Sequence, residues 1–420
     1  MKCKFLHLSD VHLGYQQYNH KERFNDFGRA FLHIIDQAIA ERVDFVVLGG
    51  DLFQKRAIDP PTLLQAVEGL SRLKEAGIPV AAVEGNHEHA HYRDVFSWMD
   101  FLAERGYLAL LNPTFREGVP ELTAWDGQHG AYLDPVEGVR VYGLKHYGAV
   151  TDRVVGSLAK ALASADHSGL EYVILVMHAG LEGILPHYSA ILTHSQLSPL
   201  RDYVDYLALG HIHKPFEREG WIYNPGSPET CGMDEADWSE RGYYLVEVET
   251  EQSPKHKARL IRNPRRPFLR LALNVEARES PDALYAAAEK YVRREAAGYA
   301  DRLQPVVELV IEGVLPFERE ELDVKRLEAI VQEAFDPLLV RITNRTVPAE
   351  YEVGSDESKS RPELEREVIK DLIERDARYR QFAADWAEVV LNVKRMALEG
   401  TSPAGILDYL ESESQPDYKS

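Results

Sequence analysis

The sequence predicts an α/β fold in which central β-sheets are flanked by helices, followed by a small α+β module and a C-terminal helical pair. Three observations carry this. From Met1 to about Glu249, short β-branched runs alternate with amphipathic stretches, the pattern of layers around buried sheet. A polar, proline-bearing stretch, TEQSPKHKARLIRNPRRP, then separates this region from a compact alternation of strand and helix. A second polar linker, GSDESKSRP, precedes two helical segments.

The candidate strands are CKFLHL, DFVVL, IPVAAV, VRVYGL, YVILVM and DYLAL, and the crossovers between them are long enough for partly parallel pairing. Helices are expected over Arg23 to Glu41, Pro61 to Ala76 and Tyr92 to Arg105, the second opening with prolines suited to a first turn. The next module reads as strand (FLRLALNV), helix (Pro281 to Ala297), strand (VVELVIEGVL), helix (Val324 to Phe335) and strand (LLVRIT). The last helices span Glu363 to Phe382 and Asp385 to Leu398. The expected domains are therefore residues 1–255, 268–348 and 361–410.

A chain of 420 residues, 45% of them hydrophobic, can fill a catalytic core plus smaller modules. No apolar run approaches the roughly 20 residues of a membrane span, so no membrane anchoring is expected. Cys3 and Cys231 lie far apart, and Met1 runs straight into the first strand without a signal region; a reducing cytoplasm is the expected location. Net charge is −20, from 48 Lys+Arg against 68 Asp+Glu, which argues against nucleic-acid binding through a wholly basic surface. A local basic strip or bound divalent ions can still attract phosphate.

The chemistry gathers after the strands. Asp10 and His12 follow the first as SDVH, Asp51 the second as GGD, and Asn86 and His87 the third as GNHE. His178 ends YVILVM, and GHIH, with His211 and His213, follows DYLAL. Five strands thus deliver donors at their carboxyl ends, where α/β sheets hold ligands. Carboxylate and imidazole donors without thiolate select manganese, iron(II) or zinc. Two cations roughly 3.5–4 Å apart, bridged by Asp51, would acidify a shared water to hydroxide for in-line attack on a phosphodiester. His87 would stabilise the transition state or protonate the leaving oxygen.

Each motif taken singly has a structural reading. DxH after a strand arises by chance, GGD serves as a turn with an Asp cap, GNHE suits a helix cap, and His178 suits a core position. Their joint order at successive strand ends favours the metal reading.

DxH, GGD, GNHE, the lone His ending a strand, and GHxH followed by NPGSPE resemble the calcineurin-like metallophosphoesterases over roughly the first 230 residues. The opening HLSDVHLGYQQYNHKERFNDF and the DLF after Asp51 are similar, more narrowly, to double-strand-break repair nucleases of the SbcD and Mre-eleven type. The resemblance implies a layered metallophosphoesterase fold with two manganese ions per subunit. One would be held by Asp10, His12, Asp51 and His213, the other by Asp51, Asn86, His178 and His211, with His87 as the catalytic residue. It implies DNA exo- and endonuclease activity in repair and recombination, a capping role for the second module, and a homodimer joined through helices at Pro61–Ala76 and Tyr92–Arg105. It also implies DNA ends, hairpins or single strands as substrate, and an SbcC or Rad-fifty type coiled-coil ABC ATPase docked on the C-terminal helices.

Two positions depart from that pattern: Gln54 stands where a His usually follows DLF, and GNHE replaces GNHD. Gln cannot relay a proton as imidazole can, which bears on exonuclease efficiency, whereas Glu88 is expected to alter a contact behind the ligands.

Tyr15, Tyr18, His20, Lys21 and Arg23, together with Gln54, form the candidate DNA-gripping set, and a solvated loop with one packed Tyr fits the first five as well. Lys255 to Arg270 reads as a phosphate track or a solvated connector. Leu364, Val368, Leu372, Trp386, Val389, Val390 and Val393 recur at helical spacing and suit partner docking. His89, His91, His146, His187 and His194 have no motif to recommend them. Competing functions are a phosphodiesterase or phosphatase for nucleotides and small phosphoesters, and a DNA-end tethering scaffold.

Overall fold

The computed structural model describes residues 1–89, 96–185, 190–276, 278–299, 303–348, 361–374 and 379–413. His91, His187, the expected helix start at Tyr92, residues 375–378 of the Glu363–Phe382 segment and most of the second linker lie outside these, as does the side chain of Leu364. The chain divides into two compact units, Met1–Gly313 with Glu318–Thr346, and Val314–Phe317 with Val347–Ser420.

In the first unit the chain runs through β1 (Lys2–Leu8), α1 (Lys21–Ala40), β2 (Phe45–Leu48), α2 (Pro60–Glu75), β3 (Val80–Ala82), α3 (Trp98–Glu104) and β4 (Ala109–Leu110). It continues through β5 (Tyr132–Val136), β6 (Val139–Leu144), α4 (Thr151–Ala163), β7 (Tyr172–His178), β8 (Tyr206–Gly210), β9 (Phe216–Arg218), β10 (Ile222–Asn224), β11 (Gly242–Glu249) and β12 (His256–Arg262). Two six-stranded sheets result, ordered β12-β11-β1-β2-β3-β4 and β9-β10-β8-β7-β6-β5. Within each, the motif-bearing strands pair in parallel. The predicted strands are thus shared between two sheets.

Alternating side chains explain the layering. From the first sheet Phe5, Phe45, Val47, Ala81 and Val246 meet Val141, Ile174, Val176, Tyr206 and Tyr223 of the second in one buried core. The opposite face of the first sheet (Leu6, Leu8, Val46, Leu48) packs on α1 to α3 through Phe31, Ile34, Leu70 and Leu102. The outer face of the second packs on α4 through Val155, Leu158 and Leu162. The order is helix, sheet, sheet, helix.

Local signals start the helices. Asp59 accepts from Thr62 N (3.0 Å) ahead of Pro60 and Pro61, and Ser97 with Asp100 forms a capping box for α3. Among the described residues the next helix after GNHE is capped by Ser97. α4 escapes the sequence reading because Gly156 and three β-branched residues, Thr151, Val154 and Val155, weaken its intrinsic signal; tertiary packing decides.

Lys255 to Arg270 is no simple connector. His256–Arg262 forms an edge strand antiparallel to β11, and its charges are engaged: Lys255 with Asp205 (2.9 Å), Arg259 with Glu247 (3.7 Å), Arg262 with Glu240, and Arg270 with Glu308 (2.9 Å). A half-exposed edge strand looks polar in sequence.

The chain goes on through β13 (Phe268–Asn274), α5 (Pro281–Ala297), β14 (Val306–Leu315), α6 (Val324–Phe335) and β15 (Leu339–Pro348), a three-stranded sheet with β14 central and β13 parallel to it. The second unit contains α7 (Arg361–Glu374), α8 (Ala383–Leu398) and α9 (Pro403–Glu413). Ala383, Ala387 and Val389 are buried there, whereas Val368, Leu372, Val390 and Leu398 are exposed. No described helix is long and apolar enough to cross a membrane.

Candidate metal centre

The loops after β1, β2, β3, β7 and β8 converge where the carboxyl ends of the two sheets meet. All eight predicted side chains come together there. Asp10, Asp51 and His178 place ligand atoms within 4.8 Å of one another, and so do His12, Asp51 and His87. Nε2 of His12 lies 3.0 Å from Nε2 of His213. Oδ1 of Asn86 lies 3.0 Å from Nε2 of His178 and 2.9 Å from Nδ1 of His211. Asp51 belongs to both groupings, at the junction that a shared ligand needs.

The turns that aim these groups are strained. Asp10, His12, Asp51 and His211 hold φ of 53°, 53°, 52° and 91°, a region that costs a non-glycine residue about 1–3 kcal/mol. Neighbouring backbone fixes them: Asp10 N donates to Gly50 O and His12 N to Asp51 O, each at 3.0 Å. Gly85 is required, because a Cβ there would fall 2.0 Å from Asp51 Oδ1. Glu88 accepts from Phe53 N (2.9 Å) and Gly85 N (3.1 Å), tying the second motif loop to the third from behind.

The donor set fits a cation. Carbonyl oxygens only accept, so His178 Nδ1 donates to Gly49 O (2.7 Å) and His87 Nδ1 to Gln54 O (2.9 Å). Nε2 of His178 then faces two oxygens, Asn86 Oδ1 and Asp51 Oδ2 (3.3 Å), a place that either a proton on Nε2 or a cation between the three atoms can fill. His213 is oriented in the same way through Glu235 (2.7 Å), which Arg241 holds in turn at 2.6 Å.

The electrostatics agree. Burial opposes both charges, yet His178 holds the Asp51 carboxyl well below the usual range and Asp51 lifts His178 to about 9. Against burial, contact with His213 lowers Glu235 to about 2. Burial, then the charge of Asp51, pushes Glu88 up to about 8.

Several expectations change. Arg23 is 1% exposed, and its guanidinium is committed to Gln17, Asp26, Glu229 and the Thr230 carbonyl, so it cannot grip a DNA strand. His20 caps α1, Tyr15 packs on Phe27 (5.3 Å), and Tyr18 lies beneath Arg341 (5.9 Å). Lys21 is exposed and the Gln54 side chain half-exposed.

Three residues were missed. Glu235 and Cys231 follow NPGSPE, and the Cys231 thiol joins the ring nitrogens of His12 and His213 in one 4.8 Å cluster; no spacing marked either. His146 follows β6 and clusters with His178 and His211. The strand-end rule points to it, since VRVYGL is one of the expected strands.

A helix-flanked pair of sheets with two adjoining donor clusters on a common rim fits a metal-dependent phosphoesterase. The chain belongs to the calcineurin-like phosphoesterase family, which matches residues 3–215. Among its relatives are proteins named DNA double-strand break repair protein Mre11. The one from Archaeoglobus fulgidus is 33% identical over 66% of this chain and 60% of its own length. That from Saccharolobus solfataricus is 29% identical over 58% and 60%, and that from Aeropyrum pernix 25% over 93% and 90%. The chain thus spans about 60% of the first two relatives.

Proposed function

We propose that this chain is a manganese-dependent DNA nuclease, the catalytic subunit of a double-strand-break repair complex with a coiled-coil ABC ATPase. The observation that carries the reading is Asp51 standing between two donor clusters. Asp10, His12, Asp51 and His213 would hold one cation, and Asp51, Asn86, His178 and His211 the other. When bound, such ions supply Lewis acidity and a low-pKa water.

The chain's own groups do the rest. Asp51 aligns the two halves, and its Oδ1 accepts from His87 N (2.9 Å), so His87 rides on the shared ligand. The His87 ring stands 4.9 Å from that of His12, with Nδ1 fixed on Gln54 O, and its Nε2 is the group to hold or deliver a proton to the leaving oxygen. Gln54 reaches this imidazole through its backbone carbonyl, a contact indifferent to its side chain. DNA as substrate is supported by the names of the Mre11 relatives. The 268–348 module is assigned the capping role. The exposed Val368 and Leu372 on α7 are assigned to the ATPase, and the helices α2 and α3 to a homodimer.

End-labelled linear DNA and a small chromogenic diester, each incubated with manganese, test the reading. Both should be cut by the wild type and neither by Asp51→Ala. Cleavage of the diester without DNA would replace the nuclease with a small-phosphoester hydrolase.

A further inference from the structure

We propose that His146 is a further ligand of the centre, its Nε2 giving a third imidazole to the cation assigned to Asn86, His178 and His211. The inference rests on the two-cation reading and adds a residue to it.

The first argument is topological. β6 pairs in parallel with β7, so the loop after Leu144 opens on the same rim as the loops bearing His178 and His211. His146 N donates to Glu84 O (2.9 Å), which fastens this loop to the end of β3, two residues before Asn86. A sixth strand end is thereby joined to the five that carry the motifs.

The second argument is the ring itself. Its centroid lies 5.7 Å from that of His178 and 5.4 Å from that of His211, close to the 5.1 Å between those two. Ligand atoms of the three rings fall within 4.8 Å of one another. His146 Nδ1 faces the backbone carbonyl of His178 at 3.3 Å and can only donate to it, which leaves the lone pair on Nε2. That is how ligating imidazoles are held, by giving the other ring N–H to a carbonyl or carboxylate, and it repeats the arrangement of His178 on Gly49 O and His213 on Glu235. A third imidazole shifts a site of carboxylate and amide oxygens away from magnesium and toward manganese or zinc.

The test is a titration of metal-free protein with manganese(II), following the free ion by electron paramagnetic resonance. Wild type, His146→Ala, His146→Phe and the exposed-site control His129→Ala are compared, with circular dichroism as the folding check. Wild type and His129→Ala should bind two ions per chain. In His146→Ala one binding step should weaken by at least the roughly 10–100-fold that loss of an outer partner costs, while the other step holds. His146→Phe, which keeps an aromatic ring and offers no donor, should behave alike and decides the matter if the Ala variant does not fold. Two ions bound with wild-type affinity by a folded variant, or both steps weakened equally, would overturn the ligand role. A wild type that binds two ions yet cuts neither DNA nor diester would sink the nuclease reading and leave the His146 result standing. Fewer than two ions on the wild type would overturn both.

Discussion

Asp51 is where the halves of the centre join, so its loss is felt by both. Asp51→Ala should remove cleavage and reduce manganese binding below two ions per chain, whereas His87→Asn should keep both ions and slow turnover by roughly 10²–10⁴-fold. Wild-type turnover in the first variant would refute the shared role, and that comparison needs only metal analysis beside a cleavage assay. Gly85→Ala should mimic Asp51→Ala without touching a donor, since its methyl would strike the Asp51 carboxylate. At this scale the eight clustered residues were legible in the sequence because each sits within four residues of a β-rich run, as with Asn86 and His87 in GNHE. What escaped were partners fixed by folding alone. Glu235 reaches His213 from 22 positions away, and Arg23, basic and beside the first motif, turns inward to Asp26 and Glu229.

Among the elements, the start of α2 was readable from Asp59 and the prolines after it, whereas α3 begins at Trp98 behind the Ser97 capping box and does not include Phe96 and Ser97 as expected. Asp59→Ala should cost about 0.5–2 kcal/mol in a denaturant melt and leave cleavage unchanged, because α2 lies behind the first sheet and contributes no donor. An activity loss larger than the folding loss would mean that α2 positions the site. The left-handed turns at Asp10, His12, Asp51 and His211 were invisible in the sequence, which shows glycine beside them (Gly50, Gly210) and not at them. Such strain persists only when surrounding contacts over-determine it. The division of the motif strands between two sheets was equally hidden, since β-branched runs report burial and not which sheet a strand joins.

Across the first unit, an ion network links α1 to distant chain. Asp26 is bonded to Arg23 (2.5 Å) and to Arg266 (2.7 Å), and Arg23 to Glu229 (3.2 Å). Asp26→Ala, which takes a carboxylate away from two buried guanidinium groups, should cost about 3–5 kcal/mol. Burial opposes the Asp26 charge, yet Arg266 and Arg23 hold its pKa below the ordinary 3.8. Its stabilising share is therefore full above about pH 4 and lost as pH falls through the lowered folded value. Denaturant melts at successive acid pH values should show a shallower loss of stability in Asp26→Asn than in wild type; equal slopes would remove Asp26 from the acid response. In the second unit, the proposed docking role of α7 predicts that Val368→Glu with Leu372→Glu abolishes co-purification of a coiled-coil ATPase and spares diester cleavage. Manganese-soaked crystals measured at the manganese absorption edge test the central claim most directly. Two anomalous peaks are predicted, one bounded by Asp10, His12, Asp51 and His213, the other by Asp51, Asn86, His178 and His211, with Asp51 touching each. A single peak, or peaks that Asp51 does not touch, would contradict it.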